Sequence, residues 1–203
     1  GTGAWTITSG PSSNMSQFSS STSATATFTP DGGAGTYVLT WTISHAPCAA
    51  SASSVSIVVN APPTASNAGS TQTICSTGSA TLAANSPSVG SGAWSITSGP
   101  SSHMSQFSSS TSATATFTPD GGAGTYVLTW TISNAPCASS SSNVSIIVNA
   151  QPTASNAGST QTICSTGSAT LAANSPSVGT GAWTITSGPS SNMSQFSSST
   201  SAT

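Results

Sequence analysis

The chain has 203 residues with no Lys, Arg or Glu; its acids are Asp31 and Asp120, its histidines are His45 and His103, and 82 residues are Ser (49) or Thr (33). Without cations it has no electrostatic footprint for nucleic acid or for an anionic membrane surface. It holds no apolar run near the roughly 18 residues of a membrane helix, and the scarcity of strong helix formers disfavours a helical bundle.

The remaining Ser, Thr, Gly, Ala and Val favour strands and turns. The sequence is a repeat of period 89, marked by Trp5, Trp94 and Trp183 in Gly-Ala-Trp-(Thr/Ser)-Ile-Thr-Ser-Gly-Pro segments. Residues 1–89 and 90–178 differ at nine positions, and 179–203 copy 1–25 without change. Val-Asn-Ala-Pro-Pro-Thr at 59–64 reads as the linker, because proline stiffens it and cannot extend a central strand. One complete unit is therefore expected at 62–150. Residues 1–61 read as the C-terminal two-thirds of a unit and 151–203 as the N-terminal part of another, a window on a longer polymer.

Seven strands are expected in the complete unit, in chain order. Thr64–Ala68 is an edge strand, and Ser79–Ala84 carries Leu82 inward. Ala93–Thr97 buries Trp94 and Ile96, and a weak strand covers Met104–Phe107. Ala113–Thr118 sets Ala113, Ala115 and Phe117 against Thr114, Thr116 and Thr118. Thr125–Ser133 buries Tyr126, Leu128, Trp130 and Ile132, and Val144–Asn149 buries Val144, Ile146 and Val148. Alternation with one apolar face marks half-buried antiparallel strands, and Pro119-Asp-Gly-Gly and Ser98-Gly-Pro mark turns. The fold class is all-β, with about seven strands per 89-residue repeat in a two-sheet sandwich. The expected core aromatics are Trp5, Trp41, Trp94, Trp130, Tyr37 and Tyr126.

Several motifs carry a resemblance: Asn67-Ala-Gly-Ser-Thr-Gln-Thr-Ile-Cys75, Gly92-Ala-Trp94, Gly124-Thr-Tyr126-Val-Leu-Thr-Trp130 and Val144-Ser-Ile-Ile-Val-Asn149. They resemble the tandem immunoglobulin-like and PKD-like modules of large bacterial surface proteins, adhesins or extracellular fibres. The resemblance implies that Gly124-Thr-Tyr126 forms the corner entering a late strand and that Trp94 is the buried tryptophan of the third strand. The acids often seen in related modules are missing here, which argues against calcium clamping between modules.

Each repeat holds two cysteines: Cys48 and Cys75, then Cys137 and Cys164. With no Cys-x-x-Cys and no paired histidines, a metal site lacks its usual set of about four ligands, and structural disulfides are the expectation. Three arrangements stand open: Cys75–Cys137 within one unit, Cys48–Cys75 across the linker, or staples between adjacent units or chains. Catalysis is not expected, since His45 and His103 become Asn134 and Asn14 in the sister copy, and Asp31 and Asp120 have a structural use in their turns. No catalytic, cofactor or metal residues are assigned.

The hydroxyl clusters Ser19, Ser20, Ser21 and Thr22, and Ser108, Ser109, Ser110 and Thr111, read either as a neutral solvated surface or as O-glycosylation sites. Ser139–Ser142 forms another such cluster. Asn14, Asn143 and Asn192 stand in Asn-x-Ser sequons. A threonine array at Thr114, Thr116 and Thr118 is thin support for ice binding. The functional expectation is a structural repeat segment of an extracellular bacterial fibre or adhesin stalk, a spacer or cohesive filament. Its partners would be further copies of the repeat, in the same and neighbouring chains, and covalent glycans. The alternative is a multivalent carbohydrate- or ligand-binding array that uses its tryptophans as platforms.

Overall fold

The computed structural model describes residues 1–202. Residues 1–61 hold β1 (Thr2–Ser9), β2 (Gly35–His45) and β3 (Cys48–Val59), an antiparallel sheet in the order β1-β2-β3. Next come β4 (Gln72–Cys75), β5 (Ala80–Thr81), β6 (Ser91–Ser98), β7 (Thr116–Phe117), β8 (Gly124–Asn134) and β9 (Cys137–Asn149). They make a four-stranded sheet, β4-β9-β8-β6, faced by the short pair β5-β7.

Period-two patterning dictates the large sheet. Along β8 the inward residues Tyr126, Leu128, Trp130 and Ile132 are fully buried and alternate with half-buried or exposed ones. Val144, Ile146 and Val148 do the same on β9. Trp94 sits directly opposite Trp130 in register, with ring centroids 5.1 Å apart. Opposite this sheet, Phe117, Ala115, Leu82 and Ala80 complete one continuous core. Each fully buried large side chain contributes roughly 1.5–3 kcal/mol. The result is an all-β two-sheet sandwich.

The second layer is thinner than the sequence suggests. The expected strand 79–84 keeps only two ladder residues, and 113–118 likewise, although Leu82 and Ala84 still donate to Ala115 and Ala113 carbonyls. Met104–Phe107 is not a strand: Met104–Gln106 is a 3-10 turn, and Phe107 joins Phe117 through a single bridge. Thr64–Ala68 is not the edge strand either. The amides of Ser66 and Ala68 bond to the hydroxyls of Ser140 and Ser142, while Asn67 exchanges bonds with Asn85. Gly69, at φ +84, then redirects the chain. The true edge strand, β4, runs parallel to β9 with Gln72 opposite Ile146 and Cys75 opposite Asn149.

Residues 151–202 contain one 3-10 turn, Met193–Gln195, and no strand. They nevertheless repeat local bonds of the middle copy. Trp183 N donates to Ser199 O, as Trp94 N does to Ser110 O, both at 2.7 Å.

Candidate functional site

Asp120 lies in the Pro-Asp-Gly-Gly turn before β8. Its carboxylate bonds His103 Nδ1 at 2.9 Å, and its amide donates to Gln106 Oε1 at 3.0 Å. Gln106, buried although polar, also donates to the carbonyl of His103 and to Ser101. The Ser101 hydroxyl and then the His103 ring hold the Asp120 carboxyl below its ordinary value, because both interactions favour the ionised form. In the first copy Asn14 Nδ2 donates to Asp31 Oδ2 at 3.0 Å in the same place. Imidazole and amide therefore do one job: each ties a turn carboxylate to the loop ahead of a 3-10 turn. The Ser101 hydroxyl accepts from His103 N and Gln106 Nε2 and donates to the Asp120 carboxylate, so it acts as a junction of the turn's hydrogen bonds.

The same turn seats Tyr126. Gly121 N donates to its hydroxyl at 3.0 Å, and the hydroxyl donates to Gly122 O at 3.4 Å. Tyr37 repeats this with Gly32 and Gly33. Both tyrosine rings are fully buried, as is Trp130, while Trp94 is 2 % exposed. Trp5 and Trp41 are half-buried; residues 1–61 include no counterpart of the 62–89 segment that covers Trp130 in the middle copy. Buried indoles do not serve as sugar platforms. Trp130 Nε1 instead donates to Asn85 O, and Trp94 Nε1 to Ser112 O.

The hydroxyl candidates fall into two settings. Ser108, Ser110 and Thr111 are exposed and Ser109 half-buried; Ser19, Ser20 and Thr22 are exposed and Ser21 half-buried. Both clusters lie on the loop that covers Trp94 or Trp5, where Ser108 Oγ accepts from Thr116 N and Ser109 Oγ from Thr111 N. By contrast, Ser139–Ser142 belongs to β9. On the outer face of the large sheet Thr97, Thr129 and Asn143 bond in a row across three strands, with Thr129 donating to Asn143 at 2.7 Å. Thr8, Thr40 and Ser54 make the matching row in the first sheet. Of Thr114, Thr116 and Thr118 only Thr116 is in a strand, so no flat threonine array forms there. Asn14, Asn143 and Asn192 are exposed, and each already accepts a bond through its side-chain oxygen.

The contacts with the clearest bearing on function are end to end. Past β3, Asn60 Nδ2 donates to Ala135 O at 3.0 Å, and Asn134 Nδ2 donates to Ala61 O at 2.8 Å. Ala135 and Asn134 form the tip of the β8–β9 hairpin, so the linker and the next hairpin are tied by reciprocal amide bonds. At the other end, Gln151 Nε2 bonds Thr77 Oγ1 at 2.8 Å.

Each of the four cysteines is free in the structure. Cys75 stands opposite Asn149, and Cys137 begins β9, twelve residues away along the strand. That is about 40 Å at the rise of a strand, far beyond the roughly 7 Å a disulfide spans. The pairing within one unit is therefore not the one this fold brings together. Among the described residues, no three His, Cys, Asp or Glu gather into a metal-binding cluster.

An open groove of about 980 Å³ runs along 155–157, 173–176 and 179–184, with Trp183 on its wall. Its Gly181 has open space where the equivalent Gly92 meets Trp130. The groove is thus the seat that β8 fills in the middle copy.

No family model matches the sequence, and no curated protein matches it. Solved structures do. A titin I-band fragment, I67–I69, is 16% identical and covers 74% of this chain and 56% of that one, at a TM-score of 0.43. Murine CEACAM1b is 19% identical and covers 74% and 86%, at 0.39. The insect immune protein hemolin is 12% identical and covers 74% and 39%, at 0.37. The chain thus spans about half the titin fragment and less than half of hemolin. These likenesses concern the fold alone. No helix among the described residues is long and apolar enough to cross a membrane.

Proposed function

We propose that the chain is a load-bearing segment of an extracellular bacterial fibre or adhesin stalk, built from head-to-tail sandwich units with 62–150 as one complete unit. The observation that carries this reading is the reciprocal Asn60–Ala135 and Asn134–Ala61 bonding between a linker and the next hairpin. Side chains are spent on holding successive units in line. The open groove of residues 151–202 supports the unit boundaries, since it is shaped for a strand like β8. The bacterial-surface assignment rests on the motif resemblance around Gly124–Trp130.

The surface chemistry suits the same role. An almost uncharged face carries little of the repulsion that keeps proteins apart, so copies in neighbouring chains are natural partners. The exposed Ser and Thr loops over Trp5 and Trp94 are the proposed sites of O-linked glycans, which would cover that face.

Small-angle scattering on chains lengthened by whole 89-residue repeats tests the proposal. The maximum dimension should grow by a constant ~40 Å per repeat, the length of a strand such as β9. Growth that levels off, as in a compact particle, overturns it.

A further inference from the structure

The cysteines have no partner along their own sandwich, yet the repeat places two of them beside the same linker asparagine. At one junction Cys137 Sγ lies 3.4 Å from Asn60 O. At the next, Asn149, which is Asn60 shifted by one repeat, stands opposite Cys75, and its carbonyl accepts from Ser76 N at 2.8 Å. Each junction in the chain shows a different half of the same site. Carried forward by one repeat, the hairpin cysteine of the following unit meets Asn149 O while Cys75 already flanks Asn149. The hairpin sulfur and the Ser76 amide, which follows Cys75 directly in the chain, then lie about two hydrogen-bond lengths apart across one oxygen. Both are accessible to an oxidant, Cys75 being exposed and Cys137 half-buried.

We propose that the cysteine ending β4 in each unit forms a disulfide with the hairpin cysteine of the unit that follows, so that every junction is closed covalently beside the backbone. This rests on the reading of the chain as head-to-tail units. Cys75 would pair with a hairpin cysteine one repeat beyond Cys137, and Cys137 with a β4 cysteine one repeat before Cys75. Neither Cys75–Cys137 nor Cys48–Cys75 is used.

The oxidant is a small disulfide. One cysteine thiolate attacks it, displacing one thiol and forming a mixed disulfide; the second cysteine thiolate then displaces the other thiol. Two protein thiols are oxidised and one disulfide is reduced to two thiols.

The test extends the chain past Thr203 by a copy of residues 26–61, which adds one hairpin cysteine and no methionine. After refolding with oxidised glutathione, cyanogen bromide cuts at Met15, Met104 and Met193. The expected product joins the 16–104 fragment to the C-terminal fragment. Cys75→Ser should abolish the link and Cys48→Ser should leave it intact. A 16–104 to 105–193 link, a link that survives Cys75→Ser, disulfide-bonded dimers, or five free thiols would each overturn the proposal. Five free thiols with scattering that still lengthens linearly would remove the staple alone. Compact scattering would remove the head-to-tail reading.

Discussion

Gly92 shows how far a single residue sets this fold. A Cβ built on it would lie 2.1 Å from the Trp130 ring, so only glycine lets the two central tryptophan strands close. Gly92→Ala should cost about 1–3 kcal/mol through overpacking, read as a lower midpoint in denaturant melts. Gly181→Ala is the built-in control: the same sequence position one repeat later has nothing within 4 Å and should leave the midpoint unchanged. The indole and phenol positions were legible because alternation along 125–133 and 93–97 sets their faces. Asn85 and Gln106 were not. Each is a polar residue in a stretch without periodicity, and its role depends on which distant partners the fold delivers: the Ala65 carbonyl and the Trp130 indole N–H for Asn85, and the Asp120 amide for Gln106. The recurrence of Met-Ser-Gln-Phe in every copy was the available signal.

At the scale of the element, the Asp120 turn and the Met104–Gln106 turn act as one clasp over the Tyr126 corner. Sequence alternation misassigned 104–107 as a strand because Met104 and Phe107 are apolar, while a 3-10 turn buries Gln106 between them. The edge strand was misplaced for a related reason. Thr64–Ala68 has the β-prone composition, but its amides are taken by side chains, and the ladder begins only after the Gly69 bend. The clasp has a pH signature. Asp120 is held below its ordinary carboxylate value in the folded chain. Its contribution is therefore complete above the unfolded carboxylate range and is lost as pH falls through the depressed folded value. Melting temperature should drop below about pH 4, less steeply in Asp120→Asn, and a carboxyl-carbon NMR titration should place the Asp120 midpoint under that of an unstructured aspartate. A midpoint at the ordinary value would show that Ser101 and His103 do not act on it. His103→Asn should preserve the turn, since Asn14 serves the first copy in that position.

For the whole molecule, the 89-residue period announced a repetitive architecture, but it could not say how one copy meets the next. Linker prolines suggested stiffness; the structure adds that the alignment is hydrogen-bonded, through two asparagine side chains reaching in opposite directions. Such bonds contribute about 0.5–1.5 kcal/mol each, which is enough to bias one orientation over a free hinge without locking it. Asn134 is His45 in the first copy, so junctions along one chain differ in donor. Asn60→Ala with Asn134→Ala removes both bonds while leaving the β8 and β9 ladders and every buried aromatic in place. The double variant should keep the strand signature and thermal midpoint of the parent, yet give a broader spread of end-to-end distances in small-angle scattering. An unchanged spread would mean that the Pro62-Pro63 segment alone sets the angle between neighbours. A collapsed midpoint would mean that the sandwich depends on its neighbour for stability, as stacked repeats do when each interface supplies part of the folding free energy. Either result decides whether the chain's stiffness is stored in the units or in the joints.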